Sequence, residues 1–222
     1  MSPDRPDPLA TQRRAGRPSV YDLQNNPAFV LLTTLPHKAA APFVAEYYQR
    51  SRTPFVFAHY ALSAAVLIAW ILSALSGGLS AESFIITAGL AVAGSIVLVP
   101  LHEAIHGLAY RLLGARDVRF ALSLRKLYAY AIANQFVVDS REFVFVALLP
   151  LALVSVCLVL AAAALEPYRV FCLGLLFFHM AGTSGDWASV NYLRLHRAQA
   201  VYAYDDAGRR ESYFYARQDA AG

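Results

Sequence analysis

The residues His102-Glu103-Ala104-Ile105-His106 set two imidazoles four positions apart with a carboxylate beside the first. On a helix that spacing puts both rings on one face, where they can grip one metal ion, Zn2+ being the natural guest. A glutamate on the same turn can take a proton from water activated at the metal, the hydrolytic chemistry that H-E-x-x-H encodes. Two histidines are not enough. A catalytic zinc takes three protein donors and keeps its fourth position for water. The extension that supplies a third histidine at fixed spacing is absent, because the positions that would need Gly and His hold Ala109 and Leu112. The remaining donor must therefore come from elsewhere. Asp186, between Gly185 and Trp187 in an otherwise apolar run, is the candidate, since a carboxylate there is costly unless paired or bound to a cation. A helix cap or a partner for Arg194 is the plain alternative. His179, seven residues earlier and close to the same helical face, is the substitute ligand. His59, alone in an apolar run, reads as a packing residue.

The elements that must hold such a site belong to a bilayer. Apolar residues make up 58% of the 222 and charged residues 15%, and the mean hydropathy is +0.43, a balance that ordinary soluble domains do not reach. The net charge of +4 does not point to nucleic acid, because the basic residues fall between apolar segments instead of forming one patch. Cys157 and Cys172 are far apart in apolar sequence, which argues against a disulfide framework and against a cysteine-based zinc site. The first fifty residues contain no apolar core of signal-peptide length, so the N-terminus is expected in the cytosol.

Composition divides the chain into a disordered cytoplasmic tail (1–19), a cytoplasmic or interfacial segment (20–54), a membrane domain bearing the motif (55–193) and a cytoplasmic C-terminal tail (194–222). The fold class expected is mainly α and integral to the membrane, with about four transmembrane helices. The first covers residues 55–76 and ends at Gly77-Gly78, and the second starts at 83 and runs through the motif to Gly114. The third covers 143–165, with Pro150 expected to kink it near its start. The fourth starts near Val170, gives way at residues 182–187 and resumes to Leu193. Between the second and third, residues 117–138 alternate with period two and predict a small hairpin turning near Arg125-Lys126. A second hairpin is expected within residues 201–215, around Asp205-Asp206-Ala207-Gly208. Lys and Arg outside the spans, with Arg111 in the last turn of the second counted among them, number seven, none, six, one and five in chain order. By the positive-inside rule both termini and the first hairpin are then cytoplasmic in a multi-pass inner-membrane protein. His102, His106 and Asp186 fall at one depth, near the inner face.

His102-Glu103-Ala104-Ile105-His106-Gly107 at the end of a span, a β-like stretch with Tyr128-Ala129-Tyr130, a proline-containing third span and Ser184-Gly185-Asp186 together resemble the bacterial putative zincin peptidases. These integral membrane proteins are similar in logic to the site-2 proteases, and the likeness covers roughly residues 55–215. It implies His102, His106 and Asp186 as zinc ligands and Glu103 as general base. Site-2 proteases carry the ligand aspartate in an Asn/Asp-Pro-x-x-Gly or Asp-Gly setting, whereas this chain has Gly185-Asp186-Trp187.

The expected activity is cleavage of a peptide bond in a membrane or membrane-proximal protein near the cytosolic face. An exposed edge of the hairpin would hold the peptide extended, and Asn134 and Gln135 would bond its backbone. The competing class is a non-catalytic metal-binding membrane scaffold or regulator, which would not require Glu103. A transporter is disfavoured by the small number of spans and the lack of an internal repeat.

Overall fold

The computed structural model describes residues 16–123 and 128–218. Most of the N-terminal tail and the turn at Arg125-Lys126 lie outside the described residues. Three helices are long and apolar enough to cross a membrane: α3, Pro54–Ser76; α4, Ala81–Leu112; and α5, Ser140–Ala164. At 1.5 Å per residue even the shortest spans about 35 Å. Their outward side chains are those of a lipid-facing surface, with Leu75, Ile85 and Val97 about 70% exposed.

Local chemistry sets the boundaries. Thr53 caps α3, with Pro54 at its first position, where the missing N–H costs nothing. Gly78 then adopts φ +65° in the tight connection to α4, which Ser80 caps by accepting from the Ser83 amide at 3.2 Å. Gly114 ends this segment at φ +98°, a conformation that side chains resist. The third span starts earlier than its apolar run. Asp139 accepts from the Arg141 and Glu142 amides and Glu142 accepts back from the Asp139 amide, a capping box that moves the start to Ser140. Arg17 pairs with both carboxylates, tying the N-terminal segment to this helix end.

The expected fourth span is divided. Helix α6, Arg169–Gly182, stops at Thr183, whose hydroxyl donates to the Met180 carbonyl at 2.8 Å, and α7, Ser184–Leu195, starts at once. Helix α6 packs on α3, α4 and α5 and is the centre of the helical layer. Its approach to α3 depends on Gly174, where a Cβ would lie 2.7 Å from the Trp70 ring.

Two sheets flank this layer. Strands β2, Val118–Ser123, and β3, Tyr128–Ala133, pair antiparallel and lie against α4. The second sheet has the order β1-β6-β5-β4, with β1 at Phe29–Pro36, β4 at Val138–Asp139, β5 at Ala200–Asp206 and β6 at Glu211–Arg217. The C-terminal strands are therefore the middle of a sheet whose edges come from before α3 and from between α4 and α5. A short helix α1, Val20–Asn25, with a Ser19/Asp22 capping box, leads into β1, and α2, Ala40–Val44, lies between β1 and α3. The core under the sheet joins Tyr110, Phe136, Val146, Tyr192 and Phe214, so the sheet is fastened to the same helices that carry the site.

Candidate metal centre

Helix α4 presents His102 and His106 on one face, and their Nε2 atoms lie 3.0 Å apart. The start of α7 brings Asp186 to them: its carboxylate oxygens are 3.3 Å from His102 Nε2 and 3.4 Å from His106 Nε2. This trio could hold a metal ion, with its three donor atoms all within 4.8 Å of one another. Ligands at about 2.05 Å around a tetrahedral zinc are separated by about 3.3 Å, so the spacing fits that guest.

The outer faces of the rings favour the same use. His106 Nδ1 is 2.9 Å from the Val146 carbonyl of α5, which can only accept, so Nδ1 carries a proton and Nε2 is the nitrogen left facing Asp186 and available to a metal. His102 Nδ1 meets His179 Nε2 of α6 at 3.2 Å. If His102 donates there, its Nε2 lone pair joins that of His106. His179, buried and with no partner at Nδ1 among the described residues, thus stands behind His102 and outside the converging trio.

Asp186 sits one residue after Gly185 and one before Trp187. The indole stacks on His59 at 4.4 Å and meets Phe55 at a tilt at 4.3 Å, and His59 Nδ1 bonds the Tyr48 hydroxyl at 2.7 Å. His59 is therefore a packing residue that fixes the start of α7 through Trp187.

Glu103 joins two cavities. One, about 410 Å³, runs from His102, Glu103 and Asp186 along Ser95, Ile96 and Val99 of α4 to Phe178. The other, about 170 Å³, lies on the sheet side and carries Tyr110, Ser189, Asp205 and Ser212 as well as Glu103 and Asp186. Ala129 of β3 borders both, and the Glu103 carboxylate bonds the backbone of Ala131. The first cavity adds Ile96, Val99 and Phe178 of the helices to the site's polar residues, and the second mixes polar Tyr110, Asp205 and Ser212 with apolar Leu35, Phe143 and Phe214.

Asn134 and Gln135 line neither cavity. Asn134 donates to Asp117 at 2.8 Å and accepts from the Ala207 amide at 3.0 Å, while the Gln135 amide, at φ +56°, donates to the Asp205 carbonyl. Both side chains fall in a loop that ties the two sheets together. The sequence does not single out Tyr110 or Ser212, and it marks Asp205 only as a turn residue, whereas the structure places it in β5. Tyr110 follows Glu103 by seven residues, two helical turns, which places it on the same face; no sequence pattern connects Asp205 or Ser212 to that face. The Asp205 carboxyl accepts from Ser212 Oγ at 2.6 Å and from Tyr110. Burial pushes it up to about 6, against the opposing pull of those two hydrogen bonds.

Three helices are long and apolar enough to cross a membrane, one of them carries the H-E-x-x-H residues, and Asp186 closes a three-donor cluster that could hold a metal ion. Residues 95–201 match the model of the family described as "Putative zincin peptidase", the family that the sequence resembles. No curated protein and no solved structure matches the chain.

Proposed function

We propose that this protein is a membrane-embedded zinc metallopeptidase that cleaves a peptide bond in a membrane or membrane-proximal protein, close to the face that carries the sheets. The observation that supports it most is the convergence of His102 Nε2, His106 Nε2 and the Asp186 carboxylate beside Glu103. These three donors hold the zinc. When bound, zinc polarises a carbonyl and acidifies water. Glu103, anchored through Ala131, accepts the proton of the attacking water and delivers it to the leaving amine. A peptide laid along β3, on the edge opposite β2, passes Ala129 and Ala131 and brings its backbone to the cavity holding Glu103.

The pairing of β1 with β6 and of β4 with β5 puts residues 29–36, 138–139 and 200–217 on one side of the helices. An even number of crossings must then separate them. Helices α3 and α4 supply two; α5 supplies a third, and α6 with the start of α7 makes the return, as the fourth crossing. That side is the cytosol of the inner membrane by its arginines.

The test pairs two variants. Glu103→Gln keeps its zinc and loses cleavage by about 10²- to 10⁴-fold, read by comparing membrane proteomes of cells making either form. Asp186→Ala loses most of its zinc in metal analysis of the purified chain. Undiminished cleavage by Glu103→Gln would leave a metal-binding scaffold as the function, and full zinc in Asp186→Ala would move the third ligand to another residue.

A further inference from the structure

We infer that a groove between the start of α5 and the end of α7, remote from the metal trio in its lining, binds the headgroup of an anionic phospholipid. The cavity has a volume of about 700 Å³, larger than either cavity at Glu103. Arg141, Arg194 and Arg197 line it together with apolar Val144, Leu193 and Val201. Asp139 is the one carboxylate in the lining, and it is occupied in capping α5 and pairing with Arg17. Among the described residues neither Arg141 nor Arg197 has an ion pair, so their charge is open to a ligand.

Depth identifies the occupant. Arg141 is the second residue of α5, a membrane-length helix, and the Arg194 guanidinium lies 4.9 Å from the centre of the Phe55 ring, the second residue of α3. Both arginines therefore stand where helices enter the bilayer, at headgroup level. Beyond Val144 the chain of α5 continues with exposed Phe145 and Leu153, a surface on which an acyl chain can lie. A basic pocket at the end of a span, opening on an apolar helix face, matches a phosphate that carries hydrocarbon. The chain's own first 15 residues do not suit it, because they carry three arginines against two aspartates.

The full chain in detergent, titrated with phosphatidylglycerol or with phosphatidylcholine and read by native mass spectrometry, tests this. Phosphatidylglycerol is retained and phosphatidylcholine is not. Arg141→Gln/Arg197→Gln weakens retention by at least about tenfold, while Arg141→Lys/Arg197→Lys keeps most of it. Arg194 is left in place because it packs on Phe55. Arg50→Gln/Arg52→Gln, which removes the same charge just before α3, changes retention less than about twofold. Equal loss in the two Gln pairs, equal uptake of both lipids, or displacement of the lipid by millimolar inorganic phosphate would overturn the site. Lipid retention is read without cleavage, so its failure is distinct from failure of the peptidase proposal.

Discussion

A single carbonyl decides how His106 is used: Val146 can only accept, so the imidazole must offer its other nitrogen to Asp186. The partner that fixes the ring comes from a residue 40 positions away, on another helix, with no side-chain chemistry to mark it. Asn134 shows the reverse. Its polar side chain looked available for substrate, yet both ends are spent on Asp117 and Ala207. Asp205 is the residue whose behaviour is most open to measurement. Its ordinary value is 3.8 and burial raises it to about 6. A carboxyl raised on folding contributes stability that is fully present below about 3.8 and lost as the pH rises through about 6. The melting temperature of the chain should therefore fall between about pH 4 and pH 6.5, and Asp205→Asn should remove part of that fall, being the more stable form at the upper end. Parallel melting profiles for the two chains over that range would refute the assignment.

Among the elements, α6 carries the tightest constraint. Gly174 lets it meet α3 at Trp70, a ring only 4% exposed and enclosed by Phe84, Phe177 and Phe178, so the indole has nowhere to retreat. Gly174→Ala should cost about 1–3 kcal/mol through overpacking and lower the melting temperature in detergent. Trp70→Phe in the same chain should recover part of the loss; an unchanged melting temperature for Gly174→Ala would show that the helices can separate freely. At Gly107 an added Cβ would also meet a ring, Phe120 at 2.4 Å, but that ring is more than half exposed and can swing away. Because α6 also positions His179 behind His102, strain at Gly174 acts on the site only through packing. Ends of elements were partly legible. Gly77-Gly78 and Gly114 marked two of them, whereas the Asp139/Glu142 box extended α5 beyond its apolar run, and Thr183 divided the fourth apolar run into two helices.

At the scale of the whole molecule, the sheet counts the crossings. With β1 paired to β6 and β5 to β4, the proposed four-crossing topology predicts the loops at Lys38 and Arg209 on one side and those at Glu82 and Tyr168 on the other. Single cysteines at these four positions, in a Cys157→Ala/Cys172→Ala chain, should divide two and two when vesicles are labelled with an impermeant maleimide. Labelling of Tyr168→Cys from the same side as Arg209→Cys would break the four-crossing topology. From its residues alone, the chain determined three of the four expected spans as helices long and apolar enough to cross a membrane, and the pairing of His102 with His106. Those properties follow from composition and from a helical period that repeats within a few residues. Tertiary structure alone decided that Asp186 closes the trio while His179 stands behind it, and that strands from both ends of the chain form one sheet. Such choices depend on contacts between segments far apart in sequence, where no local period carries information about which side chains will meet.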